Sequence, residues 1–224
     1  MFIGNQITLG AFVPEDYGPM YCWANDVVAA RMNGAFRPVN LRDLVTQCED
    51  AGKDQTQVML AIRPCLDARI IGYLHIHNIN MVHRSADLGI RIGEEKNRGR
   101  GYGKEALTIA LNYCWDHLNL ERIGLVVFRD NTRAISAYKA VGFKKEGLMK
   151  KHLFVDGAWI DVVIMSAFRP SRRTAKRKTI AANAPNPAAA SADATQSVLQ
   201  GVLQSALQGG LQGARQVDGR SEAA

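Results

Sequence analysis

The sequence predicts a mixed α/β (α+β) domain over residues 1–168, followed by a disordered tail over residues 169–224. Segments with strand character are interspersed with segments whose apolar residues recur at helical spacing. Two strand-like runs near the end of the domain are joined through Asp156-Gly157, a strong turn signal. After Phe168 the chain has no aromatic residue and is rich in Ala, Gln, Gly and Ser, a composition that cannot build a core.

About seven strands and about four helices follow from these patterns. A proline with acidic residues begins the first helix, and Asn131 and Gly142 mark the ends of the last one. The run ending at Phe128 is continuously apolar, as is typical of a buried parallel strand. The predicted strands are 7–12, 57–63, 69–79, 85–92, 122–128, 145–154 and 158–168. The predicted helices are 14–23, a segment within 23–50 interrupted near residues 33–34 and 38, 106–115 and 132–141.

Charge and cysteine usage exclude several classes of protein. The net charge is +7, but residues 1–168 carry 20 cationic and 18 acidic side chains, whereas the tail carries 8 and 3. The basic balance therefore describes the tail and does not indicate a nucleic-acid-binding domain. Four cysteines without a Cys-x-x-Cys pair indicate neither a zinc site nor a disulfide framework. We expect a reduced, cytoplasmic protein without a signal peptide or membrane span.

The stretch from Arg98 to Lys104 has the composition of a phosphate-binding loop. Its three glycines let backbone N–H groups approach an anion, and the helix that follows offers unpaired N–H donors. The spacing excludes a P-loop, because Gly103-Lys104 is followed by Glu105 and not by a hydroxyl residue. It also excludes the dinucleotide-binding pattern, whose last glycine lies one residue further on.

Together with the residues around it, this loop resembles the GCN5-related N-acetyltransferase (GNAT) superfamily, in its branch of ribosomal-protein-alanine and spermidine acetyltransferase-like enzymes. The resemblance covers a series of short matches in a fixed order. These matches are Gly72-Tyr73, 86–92, the loop 98–103, 118–123, Asn131 to Tyr138, Gly142-Phe143, Glu146-Gly147 and 156–161.

The resemblance implies a fold, a donor substrate and a set of site residues. The fold is a central, mostly antiparallel sheet that splays beside the loop, and acetyl-CoA is the acetyl donor, with no metal. Tyr138 matches the family's general acid, and Asp87 stands where relatives tend to have a glutamate base. A water chain remains the alternative base. The strand before the loop holds the pantetheine arm through its backbone. The implied coenzyme-binding residues are Ile90, Ile92, Arg98, Gly99, Arg100, Gly101, Tyr102, Gly103, Lys104 and Asn131, although Asn131 also suits a simple helix cap.

The acceptor is left open by the sequence. A primary amine is expected, as a protein N-terminus, an amino sugar or another small amine. A polyamine such as spermidine is an alternative, which Arg31, Arg37 and Arg42 against Asp26 and Asp43 disfavour. His75 and His77 share one strand face. We expect ordinary strand histidines there, one of which lines the acceptor pocket.

A different class also stays open, a non-catalytic acyl-CoA-binding module whose tail recruits a partner. The Leu-Gln repeats over residues 199–212 would suit a partner helix, but glycines between them favour disorder. We expect the basic cluster that begins the tail to be solvated rather than bound to nucleic acid. No membrane partner is expected, and a homodimer is left open.

Overall fold

An eight-stranded sheet forms the centre of the protein, whose computed structural model describes residues 1–30 and 37–171. The spatial order is β1-β2-β3-β4-β5-β6-β8-β7, and each neighbouring pair is antiparallel except β5 and β6. The predicted mixed, mostly antiparallel sheet is therefore confirmed. The strands are β1 (Phe2–Ile3), β2 (Ile7–Gly10), β3 (Val58–Pro64), β4 (Gly72–Asn80), β5 (Ser85–Ile92), β6 (Arg122–Phe128), β7 (Lys144–Val155) and β8 (Ala158–Phe168).

Five helices flank the sheet in the described part of the chain. They are α1 (Tyr17–Ala24), α2 (Val27–Ala30), α3 (Leu41–Lys53), α4 (Tyr102–Asp116) and α5 (Thr132–Ala140). The single-turn α2 and the longer α3 occupy the predicted interrupted segment, whose break at residues 33–34 lies outside the described residues. Asn131 caps α5 by accepting a hydrogen bond from the N–H of Ala134 at 3.1 Å, as the sequence indicated.

The two faces of the sheet carry different helices because strand side chains alternate in direction. Leu74, Ile76 and Leu88 point to one face and pack with Leu107 and Cys114 of α4 in the main core. Cys114 is fully buried and therefore lies on the apolar face of α4.

On the opposite face, Trp23 of α1 and Leu44 of α3 pack over Ala61 and Ile70 in a second cluster. Asp87 and Gly89 alternate with Leu88 along β5 and therefore belong to this opposite face.

The sheet ends at Phe168, where the predicted tail begins. Arg169 still donates its N–H to the carbonyl of Glu121 at 3.0 Å. The predictions for residues 172–224, including disorder and the Leu-Gln helix, lie outside the described residues. A membrane-crossing helix, one both long and apolar enough, does not occur among residues 1–30 and 37–171.

Candidate active site

The parallel strands β5 and β6 part after three paired positions. Ser85, Ala86 and Asp87 pair with Arg122, Ile123 and Gly124, and no pair follows. Both strands nevertheless continue, to Ile92 and Phe128. The β6-facing edge of residues 88–92 is consequently left without a strand partner, in agreement with the splay that the family resemblance implied.

A cavity of about 950 Å³ fills the space between the parted strands. We call it the loop cavity, because residues 97–104 close one end of it. Its walls are residues 88–92 of β5, residues 126–128 of β6 and the first turns of α5. The predicted coenzyme-binding residues Ile90, Ile92 and Asn131 all line it.

The glycine loop turns sharply into α4. Gly99 and Gly101 have φ angles of 80° and 89°, in the left-handed region that favours glycine. Gly101 is the N-cap of α4, and no side chain caps this helix, in contrast to α5. The N–H groups in the first turn of α4 thus remain available at the wall of the loop cavity, together with the positive end of the helix dipole.

The cations of the loop have different roles. Arg98 donates to the carbonyls of Gly93 at 2.8 Å and Ile92 at 3.3 Å, and so ties the loop to the end of β5. Lys104 lines the cavity, whereas Arg100 is exposed and outside its lining. Arg133, which the sequence reasoning missed, also lines it. A Cβ on Gly99 would lie 3.6 Å from the Arg133 guanidinium, so this side chain reaches over the loop.

Glu105 explains why a hydroxyl residue is absent after Lys104. Its carboxylate accepts hydrogen bonds from the backbone N–H groups of Asn5 and Gln6, the latter at 3.2 Å. The side chain thereby holds the N-terminal segment against the first turn of α4.

Tyr138 lies on α5 at the inner wall of the loop cavity. It is 7% exposed, and its ring packs edge-on against Phe143 with the centroids 5.6 Å apart. Burial raises the pKa of Tyr138 to about 12. The phenol therefore stays protonated at neutral pH and is available as a hydrogen-bond or proton donor.

Asp87 lies at the point where β5 and β6 part and lines a second cavity, of about 530 Å³. We call it the Asp87 cavity. Asp87 accepts a hydrogen bond from Nδ2 of Asn78 at 2.9 Å. Asn78 has a φ angle of 53° and sits in an irregularity of the β4–β5 pairing between His77 and Asn80. Bulges of this kind commonly redirect a side chain toward a site, and no sequence pattern indicated this one.

An ion pair closes the far side of the Asp87 cavity. Both terminal nitrogens of Arg122 donate to the carboxylate of Glu146, at 2.7 and 2.6 Å, and the Ser166 hydroxyl adds a bond of 2.9 Å. These hydrogen bonds lower the pKa of Glu146, so the carboxylate stays ionised. Within this cluster both charges are already paired.

The structure places the two predicted catalytic residues in different cavities, which are adjacent and share part of their walls. Leu88, Gly89 and Val126 line both of them. Val126 is 59% exposed, contrary to the expectation of a fully buried strand, because the splay opens space beside it. Tyr138 and Asp87 are thus brought to two sides of one gap in the sheet.

The two strand histidines lie together, as expected for one face of a strand. The ring centroids of His75 and His77 are 4.9 Å apart, and His77 lines the Asp87 cavity. Among the residues that the structure describes, no three metal-ligating side chains form a group.

Comparison with known proteins relates this geometry to a family. Residues 6–144 match the family model described as "Acetyltransferase (GNAT) domain". The spermidine N(1)-acetyltransferase of Vibrio cholerae serotype O1 is 36% identical over 93 residues, which are 42% of this chain and 53% of that protein. The L-amino acid N-acetyltransferase AaaT of Escherichia coli K12 is 34% identical over 119 residues, 49% of this chain and 73% of that one.

Solved structures agree with the sequence matches. The crystal structure of the Vibrio cholerae spermidine N-acetyltransferase in complex with CoA and spermine superposes with a TM-score of 0.68 at 26% identity, covering 73% of this chain and 95% of the other. The chain spans about half the length of the first curated relatives that it matches. The family model covers more than half of the chain, and the predicted family is confirmed: the chain belongs to the GNAT acetyltransferase family.

Proposed function

We propose that this protein transfers the acetyl group of acetyl-CoA to a primary amine, by direct attack of the amine while both substrates are bound. The single observation that carries the proposal is the contact between the two cavities at Leu88, Gly89 and Val126. A donor in the loop cavity and an acceptor in the Asp87 cavity would meet there, at the gap between β5 and β6.

The loop cavity fits coenzyme A in three respects. The uncapped start of α4 and the left-handed glycines suit a pyrophosphate, with Lys104 and Arg133 as neighbouring cations. The unpaired edge of β5 would bind the amide groups of the pantetheine arm as an added strand does. A backbone N–H on that edge would stabilise negative charge on the thioester oxygen. When bound, acetyl-CoA supplies an acetyl group activated as a thioester.

Tyr138 and Asp87 are proposed to handle the protons. Tyr138 would act on the departing sulfur first as a hydrogen-bond donor, because it lies in the cavity wall and is protonated at neutral pH. Burial raises the pKa of the phenol and makes it a weaker acid, so its proton would transfer only as negative charge develops on the sulfur. Asp87 would lie on the acceptor's side and hold or relay the proton of the incoming amine. Asn131 serves its helix as a cap, and contact with the coenzyme remains a prediction for it.

The acceptor we favour is a small amine or a peptide N-terminus with one cationic group. Asp87 is the carboxylate that lines the cavity, while Glu146 behind it is paired with Arg122. The name of the E. coli relative, an L-amino acid N-acetyltransferase, supports this class. Spermidine is the second candidate, supported by the names of the Vibrio cholerae relative and its solved structure. The cytoplasmic location and a homodimer remain predictions.

Thiol release from acetyl-CoA across a panel of amines tests the proposal. The panel should contain amino acids, a tripeptide, an amino sugar and spermidine, with acetyl-CoA affinity measured separately by calorimetry. We expect amine-dependent release with at least one member. Binding of acetyl-CoA without release above hydrolysis for any member would instead support a non-catalytic acyl-CoA-binding module.

A further inference from the structure

His77 faces Asp87 directly across the β4–β5 pairing. The Cα atoms of these two residues are partners in the register, and both side chains line the Asp87 cavity. Their sequence neighbours Ile76 and Leu88 are buried in the main core, so His77 and Asp87 share the opposite face. Directly opposed residues on one face have Cβ atoms about 4.5–5.5 Å apart. The two side chains are therefore neighbours in the cavity, and no hydrogen bond or ion pair joins them in the structure.

Asp87 is held in place on this face and is already engaged. Asn78 donates to its Oδ2 at 2.9 Å, and a Cβ on Gly124 would lie 2.8 Å from its Oδ1. The Asp87 carboxylate is thus fixed between an amide donor and a glycine backbone, and the His77 imidazole lines the same cavity beside it.

His75, the other histidine of the pair, is kept neutral by its surroundings. The amide nitrogen of Gln57 donates to Asp54 at 2.8 Å, which leaves the Gln57 oxygen to accept from Nε2 of His75 at 2.9 Å. Burial, and then the neighbouring His77, lower the pKa of His75. His75 therefore packs beside His77 without competing for the proton.

We propose that His77 is a further catalytic residue, whose imidazole accepts the proton of the acceptor's ammonium group beside Asp87 in the Asp87 cavity. This inference rests on the proposed acetyl transfer. A carboxylic acid ordinarily has a pKa near ~4, an imidazolium near ~6.5 and an α-ammonium group near ~7.8. Proton transfer from that ammonium is therefore unfavourable by roughly 10⁴-fold to a carboxylate but by only about 20-fold to an imidazole.

In the acetyl transfer, His77 takes one proton from the ammonium group, and the freed nitrogen lone pair forms a bond to the thioester carbonyl carbon. The carbon–sulfur bond breaks, its electron pair leaves with sulfur, and Tyr138 supplies the proton that makes the thiol. The second proton lost by the nitrogen restores Tyr138, and His77 gives its proton to solvent. One ammonium and one thioester thus yield one amide, one thiol and one released proton.

Several charged groups surround His77 and enter its pH dependence. In the described part of the chain they are His75 along β4, Asp87 on β5, and Arg122 on β6 with its partner Glu146 on β7. The Arg122–Glu146 pair carries no net charge, and the lowered pKa of His75 keeps it neutral, so Asp87 supplies the net charge among these groups.

The pH dependence of kcat/KM tests the proposal, with an alkylamine acceptor whose own pKa lies near ~10 so that a midpoint below pH 8 belongs to the enzyme. We expect the rate to fall on the acid side as the base becomes protonated, with a midpoint that disappears in His77→Gln together with a loss of about 10²–10⁴-fold in rate at pH 7. His83→Gln, on the exposed turn between β4 and β5, should keep the wild-type profile. A His77→Gln enzyme that retains the midpoint would overturn the proposal.

A second measurement decides the matter if no amine is turned over or if His77→Gln fails to fold. The ring resonance of His77 is followed by NMR against pH in the wild type and in Asp87→Asn. Loss of the carboxylate should move the His77 ring resonance, because the two side chains are neighbours in one cavity. An unmoved resonance would show that the two side chains do not act together. If no amine in the panel is acetylated, that result counts against the proposed acetyl transfer. The NMR result alone then decides whether His77 and Asp87 act together.

Discussion

Gly124 and Asp87 form the last residue pair before β5 and β6 part. A methyl group on Gly124 would lie 2.8 Å from the Oδ1 atom of Asp87. The absence of a side chain on β6 therefore decides where the Asp87 carboxylate can rest. The same carboxylate receives the Asn78 amide from β4, so three strands fix its position.

Gly124→Ala is expected to lower activity without a comparable loss of stability. The contacted atom is the far end of an aspartate side chain, which can rotate away, so the melting temperature should change little. The displaced carboxylate would lose its hydrogen bond to Asn78, and a misplacement of ~1 Å can cost up to ~10²-fold in rate. Steady-state kinetics and thermal unfolding check this. Gly18→Ala, in open space on α1, is the control; full activity in Gly124→Ala would contradict the prediction.

Tyr138→Phe should lower kcat by about 10²–10⁴-fold while the affinity for acetyl-CoA changes little, because the phenol acts on the departing sulfur. Since the pKa of Tyr138 is raised to about 12 by burial, its ionisation should produce no fall in rate between pH 6 and 10. Tyr113→Phe, a half-buried tyrosine of α4, is the matched control. A kcat for Tyr138→Phe within about threefold of the wild type would remove Tyr138 from the proposed chemistry.

Sequence patterns located the strands β5 and β6 at their observed bounds, because both runs are short and are followed by strong loop signals. The two-residue β1 was missed, since Phe2 and Ile3 form no pattern and are ordered by pairing with Leu9 and Thr8. Short edge strands of this kind depend on tertiary contact and not on local preference.

The sequence predicted which strands, loop and helices form the candidate site, but not the directions in which their side chains point. Spacing placed Arg98 beside an anion site, yet its guanidinium turns to the carbonyls of Ile92 and Gly93. Arg133 lies on a helix 35 residues away in sequence, and only the fold brings it over Gly99. Val126 is likewise exposed because β5 and β6 diverge, and no local sequence pattern indicates that divergence.

Arg133→Ala is expected to weaken acetyl-CoA binding by about tenfold. A hydrogen bond to a charged group contributes about 1.5–3 kcal/mol, and ~1.4 kcal/mol corresponds to tenfold in affinity, so an exposed cation should fall near the low end. Arg100→Ala removes a cation outside the cavity lining and should have a smaller effect. Calorimetry at two salt concentrations measures both. Equal losses in the two variants would indicate only a diffuse electrostatic contribution.

Alkaline pH should destabilise the fold through two buried groups. Burial raises the pKa of Cys114 from 9.0 and that of Tyr138 from 10.0, each to about 12. Their protonated forms are favoured in the folded state, so the stabilisation is complete below pH 9 and is lost as pH rises from 9 toward 12. Each group contributes a slope of up to about 1.4 kcal/mol per pH unit.

Urea unfolding of Cys114→Ala between pH 9 and 10 isolates the cysteine. The variant should have a lower free energy of unfolding at pH 7, because a buried side chain is shortened, but a shallower decline above pH 9. Cys22→Ala changes an exposed thiol and should keep the wild-type slope. The buried Cys48 remains in both variants and cancels in the comparison. Identical slopes in Cys114→Ala and the wild type would contradict the assignment.

Gly93→Ala should lower the free energy of unfolding, because Gly93 directly follows β5 and lies against Trp23. An added Cβ would lie 2.0 Å from Cε2 and 2.4 Å from Cδ2 of the Trp23 indole, which is buried and rigid and has no free end to rotate away. Such overpacking typically costs about 1–3 kcal/mol. The N–H of Gly93 also donates to Ile71 at 2.9 Å, which resists a backbone shift.

The same substitution should weaken acetyl-CoA binding, because the Gly93 carbonyl is the acceptor that holds Arg98 and the glycine loop. Urea unfolding and calorimetry are measured on one preparation, with Gly52→Ala on α3 as the control in open space. That control should be neutral or stabilising by up to about 1 kcal/mol, since alanine is the better helix former. Unchanged stability in Gly93→Ala would mean that Trp23 can leave its position, and the loop would then not depend on this contact.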